Sequence, residues 1–276
     1  MNRDEIALMY SGGLDTTYAA LKLADKFSKV HLLTFCNGIC VCVNNSKKHI
    51  ALLQDRFGDK FHHSIIPISH ILDLVKNGIM GDIKRYKSPL LFDLCCRLSM
   101  EIATILYCLD KRIGNVSDGN NPKTQGQMFI QQSDYLKKVD KFFSFYNINS
   151  YRSYDTFDSR EEISSELKKS GIDTGSKWLK YMGISTQLFT QPFCLWAPVA
   201  FLFTSDLRKI PIIKPFALSV DKAIEYRLEK ERIAHRFIDY LRYNYPLSYQ
   251  KGCTKRIAGF FKCATNGSKR SETDSN

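Results

Sequence analysis

The chain opens with an apolar run from Ile6 to Tyr10, too short for a helix and cut off by Ser11-Gly12-Gly13, which predicts a buried strand. The period then changes: Ala19, Ala20, Leu23, Ala24 and Phe27 recur at helical spacing. Val30 to Phe35 is a second strand, followed by a polar turn and a helix over about 45–57. Strand, helix, strand predicts a parallel crossover unit. Ile65 to Ile68 predicts a third short strand, with a helix over 70–76 behind it. Ser88-Pro89 opens a long apolar helix over 90–109, whose Leu94, Leu98, Ile102, Ile105 and Leu106 suit a helix packed under the sheet. A short strand over 112–116 and helices over 133–146 and 219–245 complete the pattern, the last with Ile224, Leu228, Ile233, Phe237 and Leu241 on its apolar stripe. Between them, Ser159 with Glu162 three residues on forms a capping box for one more helix. Strands alternating with helices indicate an α/β domain built on a parallel sheet.

Composition narrows this picture only a little. The 276 residues are 44% hydrophobic and 12% aromatic with 8 prolines, which excludes fibrous and low-complexity chains. No uncharged apolar stretch approaches the roughly 18 to 20 residues a membrane span needs, and the acids at Asp4 and Glu5 oppose a signal peptide, so a cytoplasmic protein with no membrane partner is expected. Nine cysteines, most in apolar segments, read as reduced thiols. A net charge of +12 leaves a polyanionic partner, nucleic acid included, open. The basic run of Lys251, Lys255, Arg256 and Lys262 around Phe260 and Phe261 is where such a partner would bind.

The chemistry concentrates at Ser11-Gly12-Gly13-Leu14-Asp15-Thr16-Thr17, between the first strand and the first helix. Adjacent glycines can take positive φ, so successive backbone N–H groups converge on a phosphate, and the following helix adds its positive end. Ser11 and Thr16 supply hydroxyls, and Asp15 can hold a magnesium ion bridging phosphates. The lysine of a Walker loop is absent. A second polar concentration, Ser117-Asp118-Gly119-Asn120-Asn121-Pro122, falls at the carboxyl end of a strand, where open α/β sheets bind ligands. An Asx-rich turn without a ligand explains it equally well.

Ser-Gly-Gly-Leu-Asp-Thr after the first strand resembles the signature of the PP-loop ATP pyrophosphatases. The resemblance is strong at the loop and diffuse elsewhere, over about residues 6 to 200. It implies a three-layer parallel-sheet PP-loop domain (HUP-type, Rossmann-like) over 1–210, with a helical C-terminal extension over 211–263 and a polar tail over 264–276. It further implies that Ser11, Gly12, Gly13, Asp15, Thr16 and Thr17 bind the pyrophosphate end of ATP, with Mg2+ on Asp15. Leu33, Thr34 and Phe35 would border the adenine, and Gly114 and Asn115 would complete the nucleotide site. Asp118, Asn120 and Asn121 would face the substrate. Family members cleave ATP between the α and β phosphates and leave an adenylated substrate.

For the second step, Cys194 in Pro192-Phe193-Cys194-Leu195 resembles the cysteine that relays sulfur in PP-loop sulfur transferases, although Trp196 and Ala197 stand where those relatives have Ser-Arg. A buried structural cysteine is the competing reading. Cys36, Cys40 and Cys42 follow the second strand at a spacing foreign to zinc or iron-sulfur sites, and fit small core residues or a sulfur relay. Cys95, Cys96 and Cys108 read as core, and Cys253 and Cys263 lack paired metal spacing. The expected activity is MgATP-dependent adenylation of a carbonyl or carboxylate, followed by sulfur transfer to a nucleobase or small metabolite, with a sulfur or ammonia donor protein as a further partner. The alternatives are a zinc-free ligase resembling 7-cyano-7-deazaguanine synthase of queuosine synthesis and an inactive nucleotide-binding subunit.

Overall fold

The apolar runs form the sheet and the periodic segments cover it. A computed structural model describes residues 1–41, 43–120, 129–152, 160–172, 193–194, 196 and 214–244. Strand β1 (Glu5–Met9) leads through the glycine turn into helix α1 (Leu14–Ala24) and back to β2 (Lys29–Cys36). A short β3 (Cys40–Val41) precedes α2 (Lys47–Phe57) and β4 (Phe61–Pro67). Helices α3 (Ser69–Val75), α4 (Ile79–Tyr86) and the long α5 (Leu91–Lys111) follow, then β5 (Asn115–Asp118), α6 (Ser133–Ser144), β6 (Asn149–Arg152) and α7 (Arg160–Lys169). The last described elements are β7 (Phe193–Cys194) and α8 (Val220–Asn244).

The main sheet has the order β4-β2-β1-β5-β6 with every pairing parallel. Strand alternation divides the core into two layers. Ile6, Leu8, Tyr10, Val30, Leu32 and Phe61 meet α1, α2 and α7 on one face. Ala7, Leu33, Ile66 and Val116 meet α3, α5, α6 and α8 on the other. The parallel-sheet α/β class expected from the periodicity, with the three layers that the resemblance implies, is therefore the one observed. Because both faces are covered, β1 and β2 are buried along most of their length and read as continuous apolar runs.

Two expectations change. The fourth predicted strand slides toward the carboxyl end: β5 begins at Asn115, so Gly114 and Asn115 sit at the amino end of the sheet rather than beside the ligand end. There, Asn115 Nδ2 donates to the carbonyls of Arg3 and Glu5 at 2.8 and 3.1 Å, and a Cβ on Gly114 would meet the Asn2 carbonyl at 3.0 Å. Helix α8, expected as part of an appendage, contributes Ala223, Tyr226, Ala234, Phe237, Ile238 and Leu241 to the same core as α5. Residues 121–128, the capping Ser159, and the predicted basic run and tail lie outside the described residues.

A buried chain of charges joins α8 to the sheet. Arg227 on α8, 1% exposed, places Nη2 2.7 Å from Glu101 Oε2 and Nε 2.6 Å from Glu231 Oε1. These are close ion pairs whose N–H directions miss hydrogen-bond geometry. Arg227 Nη1 donates to the Tyr135 hydroxyl at 3.0 Å, and its guanidinium lies over the Tyr135 ring. Glu101 in turn accepts from Arg97 Nε at 2.9 Å. Removing one partner of a buried pair strands the other's charge. Arg227→Met is expected to lower the unfolding free energy by about 3 to 5 kcal/mol, and pairing it with Glu101→Gln should recover part of that loss. Urea unfolding checks both; an Arg227→Met midpoint equal to wild type would show that the chain contributes nothing.

Candidate active site

The order of the sheet reverses at β1, with β2 on one side and β5 on the other, and a cavity of about 370 Å³ opens at their carboxyl ends. In open parallel sheets this switch point is where ligands bind, because the two crossovers leave in opposite directions and part the loops. The cavity is lined by Ser11, Gly13, Asp15 and Thr16 from the loop, by Thr34 and Phe35 from β2, and by Asp118, Gly119 and Asn120 after β5. Cys40 and Cys194 close it on the thiol side.

The loop geometry follows from its residues. Gly12 takes φ 78°, and Gly13 is the N-cap of α1 in extended conformation. The Ser11 hydroxyl accepts from Gly13 N at 3.2 Å and contacts Thr16 Oγ1 at 3.1 Å. Thr17 N makes the first helical bond, to Gly13 O at 2.9 Å. The backbone N–H groups of the first turn have no carbonyl before them in the helix, which makes this helix start an anion site.

A second layer holds the loop in shape. Buried His49 places Nδ1 3.1 Å from Gly12 O, which can only accept, so this nitrogen carries the proton. Thr34 Oγ1 donates its one proton to Tyr10 O at 2.9 Å, so His63 Nε2, also 2.9 Å away, must donate to Thr34. Burial, aided by Lys47 and His62, lowers the His63 pKa to about 4, and the ring is neutral in this role. Thr17 points away from the cavity toward Tyr10 and His49. Leu33 is fully buried, with its carbonyl bonded to Tyr10 N, so neither Thr17 nor Leu33 reaches the cavity as the resemblance implies.

Asp118, read as a substrate contact, is a structural anchor of the cavity wall. Its carboxylate accepts from Arg97 Nη2 at 2.7 Å, Arg152 Nη1 at 3.2 Å and Asn120 Nδ2 at 2.6 Å. Burial opposes its charge, but Arg97 and Arg152 outweigh that and hold its pKa below the ordinary carboxylate value. Asn121 lies outside the described residues. Gly119 follows directly, where a Cβ would sit 2.3 Å from Thr16 Cγ2, so the loop after β5 presses on the first turn of α1.

The thiol side gathers residues far apart in sequence. Strand β3 pairs antiparallel with β7, placing Cys40 opposite Cys194. Their thiols share a hydrogen bond, which together with burial pushes the Cys40 pKa well above the ordinary value. Asn37 Nδ2 contacts Cys96 Sγ at 3.4 Å and Cys194 Sγ at 3.7 Å, while its Oδ1 accepts from Ile39 N and so fixes the amide orientation. Cys96, expected as core alone, is core and also a neighbour of Cys194. Asp93, in the first turn of α5, has Oδ2 buried without a hydrogen-bond partner among the described residues, and Phe92 beside it packs on Trp196 with ring centroids 5.0 Å apart. Burial, and then the nearby Cys194, raise the Asp93 pKa to about 7.

Asp93 yields a pH prediction. The unfolded carboxyl ionises near 3.8 and the folded one near 7, so the native state binds more protons between these values. Stability should therefore fall as pH rises from about 4 to about 7. Asp93→Asn should melt close to wild type near pH 4 and well above it at pH 7.5, by on the order of a few kcal/mol. Parallel thermal melts across that window check this, and a constant gap between the two proteins would contradict it.

Asn37, Asp93 and Arg97 are the site residues that sequence reading passes over. One signal was present for two of them: Asp93, Arg97 and Glu101 recur at four-residue spacing on an otherwise apolar helix. Such a charged stripe needs buried partners. Among the described residues no group of three or more His, Cys, Asp or Glu side chains is arranged to hold a metal ion, and no helix is long and apolar enough to cross a membrane.

The fold and loop together define a doubly wound parallel α/β domain with a Ser-Gly-Gly-x-Asp-Thr loop at its switch point, the arrangement that the PP-loop resemblance implies. Comparison with family models and with curated proteins finds no match. Among solved structures the chain is similar to a predicted subunit of tRNA methyltransferase from Methanocaldococcus jannaschii, with 16% identity, a TM-score of 0.37, and coverage of 62% of this chain and 89% of that one. It is also similar to the U34-tRNA thiolase NcsA from Methanococcus maripaludis, solved with its [4Fe-4S] cluster, with 12% identity, a TM-score of 0.42, and coverage of 87% and 74%. Both scores are below 0.5, so neither structure carries a functional argument.

Proposed function

We propose that this chain is a MgATP-dependent enzyme of the PP-loop type that adenylates a substrate carbonyl and then transfers sulfur to the activated carbon. The observation that carries the reading is that the phosphate loop and the Cys40–Cys194 thiol pair open on one cavity. The N–H groups at the start of α1, with Ser11 and Thr16, fit the pyrophosphate end of ATP, and Thr34 and Phe35 line the side toward the base. Asp15, in the first turn of α1, is the carboxylate that would hold magnesium against the phosphates. Bound there, magnesium would spread the charge of the departing pyrophosphate.

In the first step the substrate carbonyl oxygen attacks the α-phosphorus, the bond to the β-phosphate oxygen breaks, and pyrophosphate leaves with its negative charge toward the loop. In the second, a persulfide on Cys194, loaded by a sulfur donor, attacks the activated carbon through its outer sulfur and expels AMP. Cys40 then attacks the inner sulfur of Cys194, so a Cys40–Cys194 disulfide forms and the electron pair of the broken S–S bond goes to the product sulfur. An external dithiol restores the pair. Asp93, buried beside Cys194, is suited to take and return the thiol proton. The acceptor is a nucleobase or a small metabolite.

The test is a persulfide search. After incubation with a persulfide donor, alkylation and mass spectrometry should find one extra sulfur on Cys194. A protein that accepts sulfur only elsewhere, or not at all, contradicts the sulfur route and favours the reading as an amide-forming ligase.

A further inference from the structure

Arg97 has more hydrogen-bonding capacity than its structural role uses. Its Nε donates to Glu101 at 2.9 Å and its Nη2 to Asp118 at 2.7 Å, while Nη1 has no partner among the described residues. The side chain is 14% exposed, and Arg97 is the one cationic residue among the described residues that line the cavity. Its placement is equally specific. It follows Cys96 directly and stands one helical turn after Asp93, so one flank belongs to the thiol side. On the other flank it grips Asp118, whose neighbour Gly119 presses on Thr16 of the phosphate loop. Arg97 therefore lines the same cavity as the glycine loop and the Cys40–Cys194 pair, tied to the wall after β5 through Asp118.

The chemistry proposed above needs a donor between the loop and the thiols. The loop can hold the pyrophosphate portion, and Cys194 must reach the carbon bonded through oxygen to the α-phosphate, so the α-phosphate has to lie between them. No loop lysine is present to reach it. A guanidinium held by two carboxylates is already oriented and loses little freedom on binding. Glu101 is itself held by Arg227 of α8, which extends that orientation into the C-terminal helix.

We infer that Arg97, through Nη1, binds a non-bridging oxygen of the nucleotide α-phosphate, an inference that rests on the ATP reading above. It makes AMP and pyrophosphate separable ligands, with AMP engaging Arg97 and pyrophosphate the loop.

Calorimetric titration of the full chain with AMP and with magnesium pyrophosphate, each alone, tests this in wild type, Arg97→Met and Arg97→Lys. Arg97→Met should bind AMP on the order of tenfold to a hundredfold more weakly, with pyrophosphate affinity within about twofold of wild type. Arg97→Lys keeps a charge for Asp118 and Glu101, and should fold and lose AMP affinity by a smaller factor, because a point charge lacks the fork. Should Arg97→Met fail to fold, as judged by a thermal melt, Arg97→Lys decides alone. A folded variant with wild-type AMP affinity overturns the inference, as does equal weakening of AMP and pyrophosphate. A wild-type protein that binds neither ligand overturns the ATP reading itself, whereas binding of both with no effect at Arg97 overturns only the assignment of this residue.

Discussion

Cys194→Ser is expected to stop formation of the thiolated product, on the order of 10³-fold or more, while acceptor-dependent exchange of pyrophosphate into ATP continues. In the proposed reaction the two steps draw on different residues lining one cavity. Adenylation as proposed depends on the loop residues Ser11, Gly13, Asp15 and Thr16. Displacement depends on a sulfur that can carry a second sulfur, and a hydroxyl oxygen cannot replace it as a persulfide carrier. The substitution is nearly isosteric, so Asn37, Cys40 and Asp93 keep their packing and the melting temperature should stay close to wild type. The measurement is a paired assay on one preparation, isotope exchange for the first step and mass spectrometry of the acceptor for the second. Loss of both activities in a folded Cys194→Ser protein would mean that the thiol acts in adenylation, and retention of both would remove it from the chemistry.

Gly119→Val is expected to abolish nucleotide binding while the rest of the core survives. The backbone at 119 approaches α1 so closely that even a methyl carbon would lie 2.3 Å from Thr16 Cγ2 and 3.1 Å from Thr16 Cα. The Thr16 methyl could turn away, but its Cα belongs to the first turn of the helix that forms the anion site, so relief must move the loop. Thr16 also bonds Gly13 O at 3.2 Å and contacts Ser11 Oγ at 3.1 Å, and displacing it disturbs both ends of the glycine turn. The cost is expected as roughly 1 to 3 kcal/mol of stability and as a loss of ATP affinity beyond the reach of calorimetry. Gly119→Ala should show the same pattern more mildly. Titration with ATP and urea unfolding of both variants decide this, and wild-type ATP affinity in Gly119→Val would show that the loop after β5 and the phosphate loop do not depend on each other.

How much of this was legible in the sequence depends on whether the cause was local. The strand-turn-helix geometry of the glycine loop was, because a short apolar strand, a glycine pair, an acid and a hydroxyl fall within a few consecutive residues and each acts on the backbone next to it. The long helix and the strands at Val30 and Ile65 were legible for the same reason, since apolar periodicity reports burial directly. Strand β6 was not, because Asn149–Arg152 is a short polar edge strand recruited by pairing with β5 rather than by its own pattern. The ends of β5 were misplaced because Arg112-Ile113-Gly114 reads as strand, whereas Arg112 is the left-handed cap of α5, at φ 58°. That shift carried Gly114 and Asn115 to the wrong end of the sheet.

The thiol side was half legible. Cys194 stood out by resemblance, but its neighbours arrive from two separate segments: Asn37 and Cys40 after β2, and Asp93 and Cys96 on α5. Only the pairing of β3 with β7 brings them together, and nothing in the local pattern of Cys40–Val41 announces a strand of two residues. The net charge was the least informative feature. Inside the protein Arg97 and Arg227 are matched by Glu101, Asp118 and Glu231, so the charges that serve the fold cancel and the surplus of +12 does not report on them.

The central claim is that ATP is opened at the α-phosphate in this cavity, and the nucleotide products report on it most directly. The purified chain, incubated with MgATP, a persulfide donor, a dithiol and an acceptor pool of nucleosides, RNA or metabolites, should release AMP and pyrophosphate in equal amounts as acceptor is consumed. Phosphorus NMR resolves both products. Formation of ADP and orthophosphate instead would contradict the account.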